Sequence, residues 1–369
     1  MRVLITGARA PAALHLARLL HGAGYHVVMA DSLRHTVGAA SNACAHFVLL
    51  PAANGDAAAY GRAIHTAVAD HRIELVIPTC EEVFHLAHLW TQDAPGIPLF
   101  APDLSVLLAA HNKYRFIQTV KALGLVAPET VLLSSQADLD AVRDRAADLV
   151  FKPVWSRFAT DVLIRPKRLK ITPTSARPWV AQEFIGGEEI CVYALAHQGR
   201  VMAQAAYRPI YRAGRGAGIA FAPITDPAVD HFVTRFAQGT GWTGQVSFDL
   251  MRRPDGAVLP LECNPRATSG IHFFRHPKGF VDALNGSSPA RPDVATPQAV
   301  RAALLLYGPA QHPMEIWRDL WHMGDALAWP GDPAPAWQQI PATLEVAAIA
   351  LRHRISLTKA ATRDISFDG

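Results

Sequence analysis

The chain has 369 residues, of which 50% are hydrophobic and 18% charged, a composition typical of a soluble globular protein with two or three domains. No run of about 18 apolar residues occurs, so no membrane span is expected, and a net charge of +4 without a long basic block gives no indication of a nucleic-acid partner. The four cysteines stand singly, which argues against a disulfide framework or a zinc site and favours the cytoplasm as the compartment.

The first 31 residues predict a strand, a glycine turn, a helix and a second strand that ends at Asp31. This order predicts a parallel sheet, and a core strand directly after Met1 is not the pattern of a signal peptide. The same order is compatible with NAD(P) binding, with Asp31 holding a ribose. Residues 7–13, however, lack two of the three glycines of the dinucleotide fingerprint.

Glu81 and Glu82 follow the apolar run 75–79, which predicts the next strand of this sheet. The carboxyl ends of strands in open α/β sheets face binding crevices. The two acids therefore either line a cleft or stabilise the N-terminus of the helix that follows them.

Two lysines need separate interpretation, because Lys113 by itself is compatible with an exposed helix residue, whereas the position of Lys152 suggests an anionic ligand. Lys113 opens a helix directly after Asn112, a predicted N-cap. Lys152 lies inside the short apolar strand 150–154, where a charge costs free energy unless an anion is near. Ser156 and Arg157 follow in a glycine-free segment, which is either an exposed turn or a source of side-chain donors for a phosphate.

Two further segments carry candidate ligand contacts. Residues 179–194 predict a strand, a Gly-Gly turn and a second strand, and include Glu188 and Glu189. A glycine-rich stretch at 207–218 holds Arg208, Arg212 and Arg215. The arginines either bind a substrate carboxylate through paired hydrogen bonds or belong to a solvated loop.

The most informative segment is a predicted hairpin formed by residues 244–250 and 259–266. A type I′ turn at Asp255-Gly256 places Asp249 directly opposite Glu262, and the strand period of two puts Asn264 on the same face. Facing carboxylates are destabilising without compensation. The two carboxylates and the amide oxygen either form a site suited to Mg²⁺ rather than zinc, with Arg266 within reach of an anion held there, or are ordinary polar residues on a solvated hairpin face.

Taken in order, these motifs resemble the ATP-grasp superfamily, most closely the ligases related to the carbamoyl phosphate synthetase large subunit. The resemblance spans about residues 1–290 and implies an α/β chain: a Rossmann-like (pre-ATP-grasp) parallel-sheet domain followed by a two-lobed α+β ATP-grasp domain. The expected boundaries are 1–110 and 111–290, with the small lobe at about 128–180. Residues 291–369 form a C-terminal extension without assigned chemistry.

The resemblance also implies roles for individual residues. Lys113 and Lys152 contact ATP phosphates, Ser156 and Arg157 stand where the family has a glycine-rich loop, and the backbone of Glu183, Phe184 and Ile185 meets the adenine. Glu189, with Glu188 as its rival, binds the ribose. Mg²⁺, with Mn²⁺ as a substitute, is held by Asp249, Glu262 and Asn264. Arg266 and Lys152 act on the reacting phosphate, and Glu81 or Glu82 borders the substrate together with Arg208, Arg212 and Arg215.

The implied reaction is attack of a substrate carboxylate on the ATP γ-phosphate, which gives an acyl phosphate and ADP. An amine or another nucleophile then displaces phosphate. Expected partners are small molecules and a second copy of the chain. Two alternatives stay open: an ATP-binding protein without turnover, suggested by the missing glycine loop, and an NAD(P) oxidoreductase built on the N-terminal βαβ unit.

Overall fold

The computed structural model describes residues 1–156, 161–214, 216 and 218–369. Two of the predicted ligand contacts, Arg157 and Arg215, lie outside the described residues. Within the described ranges, none of the helices combines the length and the apolar character needed to cross a membrane.

The N-terminal unit contains a four-stranded parallel sheet, as the βαβ pattern predicts. Its strands, in the spatial order β3-β2-β1-β4, are β1 (Arg2–Thr6), β2 (His26–Asp31), β3 (His46–Leu49) and β4 (Leu75–Ile77). Helices α1 (Pro11–Gly22), α2 (Ala57–His71) and α3 (Glu82–Asp93) cover it. Successive residues of β1 are fully buried, because a parallel sheet is covered on both faces.

Two helices lead from this unit to the rest of the chain: α4 (Leu104–His111) and α5 (Lys113–Ala122). The Asn112 side chain accepts hydrogen bonds from the backbone N–H groups of Tyr114 (3.2 Å) and Arg115 (3.0 Å), so the predicted N-cap is confirmed. The cap fixes Lys113 in the first turn of α5, where its side chain is buried.

A second, antiparallel sheet has the order β5-β8-β6-β7. It consists of β5 (Thr130–Leu133), β6 (Leu149–Pro153), β7 (Leu163–Ile164) and β8 (Trp179–Glu183). Helix α6 (Gln136–Val142) and a 3-10 turn (Arg143–Asp148) pack on one face, where Phe151 and Trp179 form part of a separate apolar core. Lys152 alternates with Phe151 along β6 and therefore points to the opposite face.

The largest sheet has the order β13-β12-β9-β10-β11-β14-β15. Its strands are β9 (Glu188–His197), β10 (Arg200–Arg212), β11 (Gly218–Ile224), β12 (Gly244–Arg252), β13 (Val258–Asn264), β14 (Gln298–Ala299) and β15 (Gly324–Asp325). Helix α7 (Pro227–Thr240) packs on one face through Phe232 and Phe236, which contact Phe248 of β12. A 3-10 turn (Ser269–Phe273) and helix α8 (Pro277–Leu284) follow the hairpin.

The remaining helices belong to the C-terminal segment: α9 (Arg301–Tyr307), α10 (Ile316–His322), α11 (Ala334–His353) and α12 (Leu357–Ala360). A buried ion pair ties this segment to α1, since Arg18 Nε lies 2.7 Å from an Asp332 carboxylate oxygen and Arg18 Nη1 donates to the Leu327 carbonyl. The C-terminal segment is thus held against the first helix of the chain.

A buried histidine pair joins α1 to the 3-10 turn after the hairpin. His15 Nε2 lies 2.6 Å from the Phe274 carbonyl oxygen, and His15 Nδ1 lies 3.1 Å from His272 Nδ1. A carbonyl only accepts, so neutral His15 donates through Nε2 and accepts at Nδ1 from His272. Burial lowers the pKa of His272 to about 3 and that of His15 well below its usual value.

This pair predicts a pH-dependent stability. Below about pH 6.5 the unfolded chain protonates both histidines while the folded chain does not, so the free energy of unfolding falls as the pH drops from 6.5 towards 3. His272→Gln is expected to reduce the slope between pH 6 and 4.5 by about 1.4 kcal/mol per pH unit, measured by urea unfolding. An unchanged slope would contradict the neutral pair.

Candidate functional site

The hairpin β12-β13 pairs the two predicted acids, although its turn differs from the expected one. Asp249 lies opposite Glu262, and Ser247 lies opposite Asn264. The connection is a three-residue loop, closed by the hydrogen bond from Arg253 N–H to the Ala257 carbonyl (2.9 Å), and not a two-residue type I′ turn. This loop shifts the register by one residue, and a β-bulge next to Asp249 shifts it back.

One face of the hairpin brings the predicted metal ligands together. Asn264 Nδ2 donates to Asp249 Oδ2 over 3.2 Å, and Arg266 Nη2 donates to Asn264 Oδ1 over 3.2 Å. The two carboxylates and the amide therefore lie side by side, with a guanidinium at the edge of the group.

The two predicted lysines converge on this face from separate parts of the fold. Lys113 Nζ lies 3.2 Å from Glu262 Oε2 and donates to the Ser156 carbonyl over 2.7 Å. Lys152 Nζ donates to Gln182 Oε1 and to the Leu261 carbonyl, both over 3.0 Å. Both side chains are more than nine-tenths buried. Burial lowers the pKa of Lys152 to about 8, and the Glu262 carboxylate limits this fall.

The pKa values of the two hairpin acids shift in opposite directions. Burial, together with the charge of Glu262, raises the pKa of Asp249. Burial would also raise the pKa of Glu262, but the ammonium groups of Lys113 and Lys152 outweigh it and hold that pKa below its usual value. Glu262 is thus the stable anion of the pair, and Asp249 is the acid that most needs a further cation.

Glu189 of β9 extends the site. Ligand atoms of Glu189, Cys191 and Asp249 all lie within 4.8 Å of one another. The Arg212 guanidinium forms an ion pair with Glu189, whereas Arg208 pairs with the rival acid Glu188 at a more exposed position. The structure therefore places Glu189 and Arg212 beside the hairpin acids. Cys191 was not predicted, because only the β9-β12 register brings it opposite Asp249.

In the segment predicted to contact adenine, two backbone N–H groups form hydrogen bonds within the protein. The N–H groups of Glu183 and Phe184 donate to the carbonyls of Glu129 (2.8 Å) and Asp148 (2.9 Å). Among the described residues, the Ile185 N–H has no such acceptor. Of the three predicted backbone N–H groups, those of Glu183 and Phe184 are therefore already used within the protein.

Glu82 lies inside the N-terminal unit and not on a cleft surface. Its Oε1 accepts hydrogen bonds from Thr6 Oγ1 (2.7 Å) and from the N–H groups of Thr79 and Cys80 (both 3.1 Å), and burial raises its pKa. Glu81 is also buried, and its carboxylate accepts from Phe367 N–H over 3.4 Å. Of the two alternatives for these acids, stabilisation of the N-terminus of α3 fits the contacts of Glu82, because Thr79 and Cys80 lie just before that helix.

The architecture matches that of solved ligases and carboxylases. N5-carboxyaminoimidazole synthetase from Staphylococcus aureus superposes with a TM-score of 0.62 at 11% identity, over 85% of this chain and 86% of the other. The chain has the ATP-grasp fold. The biotin carboxylase domain of 2-oxoglutarate carboxylase from Hydrogenobacter thermophilus gives 0.61 at 12% identity, over 80% and 73% of the two chains. L-amino acid ligase from Bacillus licheniformis gives 0.55 at 18% identity, over 77% and 74%.

Sequence comparison is consistent with this fold. No protein-family model matches the chain. The arginine-specific large chain of carbamoyl phosphate synthase from Cutaneotrichosporon cutaneum is 23% identical over 217 residues, which is 52% of this chain and 18% of that protein. The matched region thus spans less than a fifth of the curated relative.

The facing acids predict a gain in stability when one charge is removed. Asp249→Asn relieves the repulsion of Glu262 and keeps an oxygen for the Asn264 amide. At pH 8 we expect the free energy of unfolding of the ligand-free protein to rise by on the order of 1 kcal/mol in urea titrations. Asp144→Asn, at an exposed acid on the 3-10 turn, is the matched control, and a clear loss of stability in Asp249→Asn would contradict the proposed repulsion.

Proposed function

We propose that this protein is an ATP-dependent ligase that activates a substrate carboxylate as an acyl phosphate for attack by an amine or another nucleophile, with release of ADP and phosphate. The observation that carries the proposal is the charge arrangement at the hairpin. Two carboxylates and an amide on one face are opposed by two buried lysines from separate units and bordered by Arg266.

The residues present fit a divalent metal ion. Asp249 and Glu262 are hard oxygen donors that repel each other, and burial together with the charge of Glu262 raises the pKa of Asp249, so a bound cation would stabilise its ionised form. We infer that Asp249, Glu262 and Asn264 hold Mg²⁺, or Mn²⁺ in its place. When bound, the ion supplies positive charge against the phosphate oxygens.

The other side chains act on the triphosphate and the acid. A carboxylate and a triphosphate repel each other, so their reaction requires fixed positive charge where negative charge develops. Lys113 and Lys152 supply two buried ammonium groups, and Arg266 supplies a third cation on the hairpin side. We infer that Glu189 binds the ribose hydroxyls and that Arg212 and Arg208 bind a substrate carboxylate, which requires their ion pairs with Glu189 and Glu188 to open when the ligands bind.

The bound groups of the structural relatives support the same chemistry. The 2-oxoglutarate carboxylase domain was crystallised with MgADP, ADP and bicarbonate. An N5-carboxyaminoimidazole synthetase was crystallised with ADP. ATP and Mg²⁺ are therefore the proposed cofactors, and the proposed partners are a small carboxylic acid and a nucleophile.

The contacts of Asp31 weigh against the NAD(P) alternative. Its carboxylate accepts from Arg9 N–H over 2.8 Å and lies 2.5 Å from Arg9 Nη2. A ribose would have to displace this buried ion pair. The non-catalytic ATP-binding alternative differs from the ligase only in turnover.

We propose a homodimer through α11. Trp337, Ile340, Leu344 and Leu351 are exposed at spacings that place them on one side of the helix. Four such side chains present roughly 500 Å² per copy, so two copies would cover about 1,000 Å², the lower range for a specific interface. Leu344→Glu is expected to yield monomers in light scattering at concentrations at which the parent chain is dimeric. A monomeric parent chain would contradict the homodimer.

The decisive assay is ADP release from Mg·ATP in the presence of small carboxylic acids, each with and without amines. Stimulation by one acid is expected and would identify the activated substrate. Tight ATP binding without stimulation would favour the non-catalytic alternative, and absence of ATP binding would overturn the proposal.

The same assay tests the hairpin. Asp249→Asn is expected to lower the stimulated rate at least about 100-fold, because a ligand and a charge facing the phosphates are lost. Asp144→Asn should retain the rate. Undiminished turnover in Asp249→Asn would exclude the metal assignment. Glu262→Gln is a less specific test, because it also removes the anion that Lys113 contacts.

A further inference from the structure

The last residues of the sequence return to the carboxyl edge of the N-terminal sheet. Arg9 Nη1 and Nη2 donate to the two Asp364 carboxylate oxygens over 2.7 and 2.6 Å. Asn54 N–H donates to the Asp364 carbonyl over 3.2 Å, and Ile365 is buried in the core below the sheet. Residues 364–368, here called the strap, are thus fixed to the N-terminal unit by charge, backbone and apolar contacts.

Beyond this anchor, Phe367 enters a cluster of five rings, which includes His85 with its ring centroid 5.8 Å from that of Phe367. It stacks on Phe84 of α3 with ring centroids 4.7 Å apart and meets Trp155 edge-on at 6.0 Å. The ring centroid of His111, the last residue of α4, lies 4.9 Å from that of Phe84 and 5.6 Å from that of Trp155. Four separate segments of the chain therefore meet in this ring cluster.

The ring cluster adjoins Lys113, one of the two lysines that we assign to the phosphates. Trp155 is bonded to Ser156, whose carbonyl accepts from Lys113 Nζ over 2.7 Å. His111 lies two residues before Lys113, on the other side of the N-cap. A change in the packing of Trp155 therefore acts directly on the contact between the small sheet and the buried lysine.

We propose that Phe367 is a positioning residue for nucleotide binding. The strap holds Trp155 against α3 and α4, and thereby keeps the Ser156 carbonyl on the Lys113 ammonium and the lysine directed at the hairpin acids. This inference rests on the proposed function for its kinetic consequence, but its structural part does not require turnover. It gives the C-terminal segment a role at the phosphate end of the site.

Phe367→Ala in the full chain tests the proposal. Loss of the ring removes the stacking partner of Phe84 and the edge contact of Trp155. We expect the KM for ATP to rise about 10-fold while kcat changes less than about 3-fold, because binding geometry and not the hairpin chemistry is altered. Phe367→Tyr should restore the KM. Leu357→Ala, at a half-exposed residue of α12, should leave it unchanged.

Hydrogen–deuterium exchange of residues 149–156 in the nucleotide-free protein gives a readout that does not depend on activity. Faster exchange in Phe367→Ala, and parent-like exchange in Phe367→Tyr and Leu357→Ala, would support the strap even if no ATP turnover were found. Equal exchange and equal KM in Phe367→Ala would overturn it while leaving the ligase proposal intact. If Phe367→Ala does not fold, Phe367→Leu replaces it and the same two outcomes decide.

Discussion

The repulsion between Asp249 and Glu262 is the constraint around which the rest of the structure is arranged. Two carboxylates that face each other across paired strands destabilise a hairpin unless positive charge is supplied. Here the ammonium groups come from elsewhere, Lys113 from the start of α5 and Lys152 from the small sheet. Charge balance at the hairpin is therefore achieved only when three parts of the chain have assembled.

The ammonium groups compensate the charges of the two acids unequally. The ammonium groups of Lys113 and Lys152 lower the pKa of Glu262, whereas burial and the neighbouring charge raise the pKa of Asp249. Among the described residues, the ammonium groups compensate Glu262 more than Asp249, and this difference supports the proposed binding of a divalent ion. A cation bound at Asp249 would relieve the repulsion from Glu262, and the relief would contribute to the free energy of binding.

Local patterns predicted the parts of the fold that depend on neighbours in sequence. The N-cap at Asn112 and the pairing of Asp249 with Glu262 follow from local patterns, although the second is reached through a three-residue loop and a compensating bulge. The position of Cys191 beside Asp249 could not be predicted, because it depends on β9 lying between β12 and β10. Glu82 illustrates the same limit, since its partner Thr6 lies 76 residues away.

The N-terminal turn shows how a βαβ unit can form without the glycines of the dinucleotide fingerprint. Glycines in that turn allow a phosphate to approach the backbone. In this chain Arg9 occupies the turn, and its guanidinium forms ion pairs with Asp31 of β2 and Asp364 of the strap. The acid that a dinucleotide protein would use on a ribose is thereby engaged in an internal ion pair. The chain itself thus fills the crevice at the carboxyl edge, which supports our proposal that a nucleotide binds instead at the hairpin and the two lysines.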